Sequence, residues 1–185
     1  MYRLPTSLEV NGREFEIRTD YRDVMNIMAA MNDPNLEDKE KLYVTLFVLY
    51  KDFDELQSDD YKEAFEKALW FLNNGEESDG KANSAKLIDF EQDEKILIPA
   101  INRVAGFEVR AADYIHWWTF LGYYMEIGEC TFSNVVNIRM KRAKNKKLEK
   151  WELEFYTNNK DMINIKEKLS DEEIEAKKRL MEILG

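Results

Sequence analysis

The chain has one histidine, His116, and one cysteine, Cys130, the residue types that can supply a general base, a nucleophile or zinc ligands. His116 lies beside two tryptophans, with neither a second histidine nor an HExxH pattern to build a zinc site or a catalytic triad. Cys130 lies in no nucleophile signature, and a lone cysteine is more often a small buried apolar side chain. We expect structural roles for both residues and no hydrolase or transferase activity.

The densest carboxylate group is formed by Asp89, Glu91, Asp93 and Glu94. Acids are favoured at a helix N-terminus, and a metal site would require inward-facing carboxylates paired across helices with histidines, which this chain lacks. No glycine pattern matches a phosphate-binding or dinucleotide-binding loop. The sequence therefore predicts no enzyme, no metal site and no cofactor.

A basic strip is the most suggestive surface feature that the sequence predicts. It consists of Arg139, Lys141, Arg142, Lys144, Lys146, Lys147 and Lys150. It contains no aromatic side chain for stacking on single-stranded nucleic acid, and the net charge of −10 disfavours general nucleic-acid binding. A solvated helix end and a site for an acidic protein both remain open, and binding to nucleic acid is the least favoured alternative.

The composition favours one mainly helical domain across all 185 residues, with a flexible loop at about residues 73–86. The single cysteine, the lack of a leader pattern and the lack of a long apolar run predict a protein of a reducing cytoplasm, without a membrane segment. Acids outnumber bases between Asp33 and Glu94, so the charge is uneven along the chain.

A β-hairpin is predicted near the start, where Asn11-Gly12 forms a type I′ turn. In that register Leu8 faces Phe15 and Val10 faces Arg13, which places the apolar side chains on one face. Apolar spacing then predicts helices over residues 21–31, 37–50, 59–72, 90–105 and 112–127, followed by helices through Met140 and Tyr156 and a last one over 171–184. The last helix begins with a Ser170/Glu173 capping box.

The stretch from Asp89 to Val136 carries most of the candidate core rings, including Trp117, Trp118 and Phe120. Asp89 and Gln92 predict a capping box for its first helix, and Gly106 is placed to end that helix. Pro99 inside the helix predicts a kink or a one-turn break. The second helix is apolar nearly all round, so neighbours must cover it on more than one side.

Long aromatic strings give this sequence a more specific signature than any short motif. They are LPTSLEVNGREFEIRTDYRDV, YKDFDEL, EKALWFLNNG, DFEQDEKILIPAINRVAGFEVR, HWWTFLGYYMEIGECTFSNVVNIR and KKLEKWELEFY. With these strings the chain resembles, over nearly all of its length, the bacteriophage gene-product-fifteen family, which is found in tail-gene clusters of phages and prophages of Gram-positive bacteria. The resemblance carries no catalytic or ligand residues.

The resemblance implies a role in tail assembly, because the genes of this family typically lie between those for the tail tube protein and the tape measure protein. The implied function is a tail assembly chaperone in the host bacterial cytoplasm. Its partners would be the tape measure protein, the tail tube protein or both, with self-association also open. A structural tail or connector component of the virion and a DNA-binding regulatory protein are the alternatives.

A chaperone of this kind would need an apolar surface for a helical client. Two helices provide candidates: Met25, Met28 and Met31 in the first, and Ile174, Leu180 and Ile183 in the last. An equally good interpretation is that both stripes belong to the core. Lys144, Lys146 and Lys147 are the candidates for steering an acidic partner.

Overall fold

The computed structural model describes residues 3–77, 86–166 and 168–184, and the side chains of these residues up to 180. In this part of the chain nine α-helices follow a two-stranded antiparallel hairpin, which confirms the predicted mainly α fold. The elements are β1 (Ser7–Val10), β2 (Arg13–Glu16), α1 (Tyr21–Met31), α2 (Asp38–Leu49), α3 (Tyr61–Leu72), α4 (Glu94–Ala105), α5 (Trp117–Met125), α6 (Thr131–Ala143), α7 (Lys150–Asn158), α8 (Lys160–Ile163) and α9 (Asp171–Leu184). None of the described helices is long and apolar enough to cross a bilayer.

The backbone divides into two compact units. The hairpin unit contains residues 5–18, 22–69 and 168–184, and the tryptophan unit contains residues 3–4, 19–21, 70–77 and 86–166. Residues 78–85 of the predicted loop lie outside the described residues. Each unit has its own buried apolar side chains.

The hairpin has the predicted register, with Leu8 opposite Phe15 and Val10 opposite Arg13. Asn11 and Gly12 both have positive φ, 47° and 74°, as a type I′ turn requires. The face that carries Leu8, Val10 and Phe15 is buried. A lone hairpin is marginal in water, so burial of this face within the hairpin unit stabilises it.

The strand that leaves the hairpin is joined to the end of α2. The Arg18 N–H donates to the Leu49 carbonyl over 2.7 Å, and the Lys51 N–H donates to the Glu16 carbonyl over 3.0 Å. The Arg18 guanidinium donates to the carbonyls of Phe47, Val48 and Tyr50 at 2.9–3.2 Å. The C-terminal carbonyls of α2, which have no partner within the helix, are thereby satisfied by a cation at the favourable end of the helix dipole.

In the tryptophan unit the predicted start of α5 is wrong by several residues. The helix begins at Trp117 rather than near residue 112, because the residues before it are extended and pair with residues 19–21. The Trp117 N–H donates to the Thr19 carbonyl over 2.7 Å, and the Tyr21 N–H donates to the Ile115 carbonyl over 3.0 Å. His116 is therefore not in the middle of a helix: it is the N-cap of α5, and its Nδ1 accepts from the Trp118 N–H over 3.0 Å.

The two tryptophans of α5 hold the end of α3. Nε1 of Trp117 donates to the Leu72 carbonyl over 3.0 Å, and Nε1 of Trp118 donates to the Phe71 carbonyl over 2.9 Å. Trp117 is completely buried, whereas Trp118 is only partly buried. The Leu72 carbonyl at the helix end is thus satisfied by the Trp117 indole, and the Phe71 carbonyl accepts from Trp118 in addition to the Asn74 N–H.

The helix α4 begins at Glu94, four residues later than predicted, although Asp89 does cap the preceding turn. One carboxylate oxygen of Asp89 accepts from the N–H groups of Glu91 and Gln92. The helix runs through Pro99 to Ala105, so the predicted alternative of a one-turn break at Pro99 is wrong. Gly106, with a φ of 80°, is the left-handed C-cap that was predicted.

The last part of the chain contains one helix that was not predicted, the single turn α8. The capping box at the start of α9 is confirmed: the Ser170 N–H donates to Glu173 over 2.8 Å, and the Glu173 N–H donates to the Ser170 hydroxyl over 3.2 Å. The hydroxyl and the carboxylate thus satisfy two backbone donors at the start of the helix.

Candidate functional site

A group of four aromatic rings, two of them exposed and two partly buried, is the most conspicuous surface feature of the hairpin unit. We call it the aromatic cluster; its members are Tyr43, Phe47, Phe53 and Tyr61. Tyr43 and Phe47 lie one turn apart on α2, Phe53 lies in the 3-10 turn Phe53–Glu55, and Tyr61 begins α3. Residues separated by four positions share a helix face, so α2 presents two of the rings side by side.

The rings contact one another in a continuous chain. Tyr43 and Phe47 are nearly parallel, with centroids 6.1 Å apart, and Phe53 meets each of them edge-on, at 5.1 Å and 5.7 Å. Tyr61 follows at 5.8 Å from Phe53. Even so, Tyr43 remains 50% exposed and Phe47 55% exposed. The rings therefore pack on each other while leaving faces and edges open to solvent.

Two buried polar anchors fix the elements that carry these rings. The Tyr50 hydroxyl donates to the Ala64 carbonyl over 2.8 Å, which ties the end of α2 to α3. Burial, with a smaller effect from Glu63, raises the pKa of the Tyr50 phenol, so the group stays protonated as a donor. A neutral hydrogen bond thus joins α2 and α3, the two helices that carry three of the four rings of the aromatic cluster.

The second anchor is Asp60, at the start of α3. Its carboxylate accepts from the Asn11 amide over 2.7 Å, from the Gln57 N–H over 3.0 Å and from the Arg13 guanidinium over 2.6 Å. Hydrogen bonding by Asn11, followed by that of Gln57 and the nearby Arg13, lowers the pKa of Asp60. The hairpin turn and α3 are consequently held together by an ionised carboxylate.

The segment that carries the cluster is acidic. Asp52 and Asp54 flank Phe53 in the chain, Glu55 follows, and Asp59 precedes Tyr61 by two positions; we call these four residues the acidic rim. All four side chains are exposed. Aromatic faces attract cations, and carboxylates do so at longer range, so this surface suits an apolar segment that also carries Lys or Arg.

No reactive group is brought to this surface. Cys130 and His116 both belong to the tryptophan unit, where each is the N-cap residue of a helix. Within the described residues no group of three or more His, Cys, Asp or Glu side chains could hold a metal ion. The chemistry that the aromatic cluster offers is noncovalent binding by apolar contact, cation attraction and the Tyr43 and Tyr61 hydroxyls.

The predicted methionine stripe lies on α1. Val24 and Ile27 of this helix are completely buried, whereas Met25, Met28 and Met31 are each partly buried. The methionines therefore lie at the margin of the packed face, and their exposed parts are smaller than those of Tyr43 and Phe47.

The predicted stripe of the last helix is placed differently. Every described side chain of α9, residues 171–180, is exposed, with Ile174 at 38% and Leu180 at 57%. Ile183 lies in the helix, but its side chain is outside the described residues. The alternative that this stripe is simply core is therefore wrong for Ile174 and Leu180.

The predicted basic strip is only partly a surface, because three of its members are used inside the tryptophan unit. Arg139 is buried against Asp93, and Lys141 donates to both carboxylate oxygens of the buried Glu152, at 2.7 and 2.8 Å. Arg142 donates to the Asn164 amide oxygen over 2.6 Å and lies 4.2 Å from the Tyr156 ring centroid. Four exposed cations remain: Lys144, Lys146 and Lys147 at and beyond the end of α6, and Lys150 at the start of α7.

The carboxylate group at the start of α4 is likewise structural. Asp93 pairs with Arg139, and Asp89 pairs with Lys86 over 2.8 Å. Both carboxylates are buried, so neither is open to a ligand from solvent. The predicted role of these acids at the helix start accounts for the N-cap position of Asp93 but not for its buried pair with Arg139.

The aromatic cluster was not predicted from the sequence. A signal was present: the apolar residues of α2 occupy more of its circumference than one packed face can cover, and only Leu46 and Leu49 among its large apolar side chains are fully buried. Acids around Phe53 gave a second signal, since a ring between Asp52 and Asp54 is an unusual core candidate.

Residues 1–165 match the sequence model of a family described as Bacteriophage Gp15 protein. No curated protein and no solved structure match the chain. The matched range includes the aromatic cluster and all elements up to α8, whereas α9 lies beyond it.

Proposed function

The chain belongs to the Bacteriophage Gp15 protein family, and we propose that it is a non-enzymatic tail assembly chaperone. Membership of this family confirms the resemblance and indicates a role in phage morphogenesis. Its client in this proposal is the tape measure protein, the tail tube protein or both. A chaperone for a long helical protein must cover apolar helix faces until assembly covers them permanently. Such a chaperone requires an exposed apolar surface that binds its client noncovalently.

The observation that carries this proposal is the exposure of Tyr43 and Phe47 in the aromatic cluster. Tyr43 and Phe47 contact each other while each is about half exposed, and contiguous exposed apolar groups typically mark interaction sites. Rigid aromatic side chains are also enriched among residues that dominate binding energy. The aromatic cluster therefore provides anchors for an apolar client segment.

The acidic rim indicates what kind of segment would bind. Carboxylates at Asp52, Asp54, Glu55 and Asp59 favour an amphipathic helix whose apolar face is bordered by Lys or Arg. The cluster also lies inside the matched residues 1–165, so it can serve a function shared by the family, whereas α9 lies beyond the match. These two points favour the cluster over α9 as the client surface.

The test is capture of clients from phage-infected cells by tagged protein, with mass spectrometry of the captured proteins and of purified virions. We expect the tape measure or tail tube protein in the capture and absence of this chain from virions. Phe47→Ser should abolish capture, whereas Leu153→Ser, which alters an equally exposed apolar residue on α7, should leave it unchanged. Circular dichroism must show that both variants are folded.

Two outcomes contradict the proposal. Stoichiometric amounts of this chain in purified virions would favour the alternative of a structural tail or connector component. Equal loss of capture in Phe47→Ser and Leu153→Ser would mean that the aromatic cluster is not the client surface.

A further inference from the structure

The sequence contains two Asn-Gly pairs, Asn11-Gly12 in the hairpin turn and Asn74-Gly75 at the end of α3. Asparagine followed by glycine is the pair most prone to spontaneous deamidation, because glycine has no side chain to hinder attack by its backbone nitrogen on the asparagine amide. In both pairs the two residues have positive φ, 47° and 74° in the first pair and 58° and 84° in the second. The difference between the pairs therefore lies in their surroundings.

The second pair is shielded from this reaction. The Gly75 N–H donates to the Trp70 carbonyl over 2.9 Å, so the nitrogen that would attack is already engaged. A Cβ at Gly75 would lie 3.1 Å from Cη2 of Trp118 and 3.4 Å from Cζ2 of Trp70, so two indoles lie close to this glycine. Both residues of the pair are partly buried. A hydrogen bond and packed rings therefore oppose the backbone rotation that ring closure at Asn74 requires.

The first pair is open at its glycine. Asn11 and Gly12 are exposed, and a Cβ at Gly12 would meet nothing within 4 Å. Among the described residues no group accepts a hydrogen bond from the Gly12 N–H. The turn is held through Asn11 instead, whose N–H donates to Glu63 over 3.1 Å and whose side-chain amide donates to Asp60 over 2.7 Å. Reaction at this pair costs the contact between the amide and Asp60, but nothing packed on Gly12 has to move.

We propose that Asn11 is a site of spontaneous deamidation and that its products release the hairpin turn from Asp60. The Gly12 nitrogen gives up its proton and attacks Cγ of Asn11, and the amide nitrogen of Asn11 leaves as ammonia with that proton. The product is a cyclic succinimide between the two residues. Water then opens the ring at one of its two carbonyls, which leaves either aspartate or isoaspartate at this position. The reaction needs only water and is independent of the proposed function.

Both products weaken the attachment of the turn to α3. The Asp60 carboxylate accepts from the Asn11 amide, the Gln57 N–H and the Arg13 guanidinium. Deamidation replaces the first of these donors by a carboxylate, which faces the carboxylates of Asp60 and Glu63 with Arg13 as the neighbouring cation. Like charges at hydrogen-bonding distance repel each other. In isoaspartate the main chain also gains a methylene group, which a two-residue type I′ turn cannot accommodate.

The stability of the product tests its effect on the turn. Asn11→Asp should lower the urea midpoint at neutral pH, and this loss should shrink as the carboxyl becomes protonated at low pH, because a protonated carboxyl can again donate to Asp60. The matched control is Asn145→Asp, since Asn145 is also exposed and has a φ of 50°. If Asn11→Asp does not fold, deamidated wild type separated by ion exchange provides the same measurement. A deamidated chain as stable as the intact chain at neutral pH would overturn the release from Asp60.

The site itself is tested by incubating the purified chain, native and urea-unfolded, in mildly alkaline buffer, followed by tryptic peptide mapping with mass spectrometry and enzymatic labelling of isoaspartate. Trypsin releases the two pairs in the separate peptides 4–13 and 68–81, and an unaged sample digested in parallel corrects for reaction during digestion. In the native chain Asn11 should be converted while Asn74 stays intact, whereas both should be converted in urea. Conversion of Asn74 as fast as Asn11 in the native chain, or a native Asn11 that stays intact while the unfolded chain reacts, would overturn the proposal.

Discussion

Arg139 and Asp93 form a bidentate ion pair inside the tryptophan unit, with Nη1 to Oδ2 at 2.6 Å and Nη2 to Oδ1 at 2.8 Å. Arg139 also donates to the carbonyls of Leu87, Met162 and Ile163 at 2.6–3.0 Å. One guanidinium therefore joins the N-cap residue of α4, the segment before it and the end of α8. A planar donor fork with several hydrogen bonds suits this task, which a lysine could not perform.

Replacing Arg139 by Met should destabilise the tryptophan unit by about 3–5 kcal/mol, because the Asp93 charge is left buried without its partner. Urea unfolding followed by tryptophan fluorescence measures the change. The matched control is Lys144→Met, an exposed cation near the end of the same helix, which should change stability by less than about 0.5 kcal/mol. Similar effects of the two changes would contradict the role given to the pair.

This pair shows why part of the fold was not predictable from local sequence. Arg139 stands in a run of bases and was assigned to a surface strip, yet its partner Asp93 is distant in the chain and was explained by the helix dipole alone. The start of α5 was misplaced for the same reason, since pairing of Ile115–Trp117 with Thr19–Tyr21 overrides a helical apolar pattern. By contrast, the hairpin register, Gly106 and the capping box of α9 depend on neighbouring residues and were predicted correctly.

In the candidate site, too, local features could be predicted from the sequence and features that depend on distant residues could not. Periodicity identified α2, and Tyr43 and Phe47 could be placed on one face of it from their spacing. Which face of an apolar helix stays open depends on the elements packed around it, and that information is not local. The exposure of Tyr43 and Phe47 therefore could not be predicted without the packing of α2 against its neighbours.

The two adjacent tryptophans of α5 should respond differently to substitution. Trp117 is completely buried, so Trp117→Ala should cost about 3–5 kcal/mol through cavity formation. Trp118→Phe keeps most of the ring but removes the donor to the Phe71 carbonyl, so about 0.5–1.5 kcal/mol is expected. Chemical denaturation of both variants checks the order, and a larger loss for Trp118→Phe would contradict the assignment of Trp117 as the core residue.

Gly75 should tolerate alanine less well than Gly106 does, although their φ angles of 84° and 80° are nearly equal. A Cβ at Gly75 would lie 3.1 Å from Cη2 of Trp118, whereas a Cβ at Gly106 meets nothing within 4 Å. Backbone strain alone should cost each variant about 1–2 kcal/mol. The excess loss in Gly75→Ala, measured by thermal unfolding, reports the contact with Trp118, and equal losses would show that the ring moves aside freely.

Low pH should weaken the contact between α6 and α7 that Lys141 makes with Glu152. The hydrogen bond from Lys141, with smaller contributions from the Glu149 N–H and Asn137, lowers the pKa of Glu152 below 4.5. A carboxyl with a lowered folded-state pKa stabilises the fold above its unfolded value, and this contribution is lost as the pH falls through the folded value.

The stability difference between the wild type and Glu152→Gln should therefore be present at neutral pH and shrink as the pH falls below 4.5. Urea midpoints measured across this range provide the check, with Glu154→Gln, an exposed position on α7, as control. A difference that stays constant with pH would mean that Glu152 acts through its shape and neutral hydrogen bonds.

The three exposed lysines at the end of α6 should act on association rates rather than on stability. Lys144, Lys146 and Lys147 are exposed, so replacing all three by Gln should leave the unfolding midpoint nearly unchanged. If they steer an acidic partner, the triple variant should associate more slowly than the wild type at low salt and about equally at high salt, where charges separated by more than about 3–10 Å are screened. Stopped-flow or interferometry with a captured client measures this at both salt concentrations. Equal losses at low and high salt would instead place the lysines in direct, desolvated contact with the partner, and the binding surface would then extend beyond the aromatic cluster.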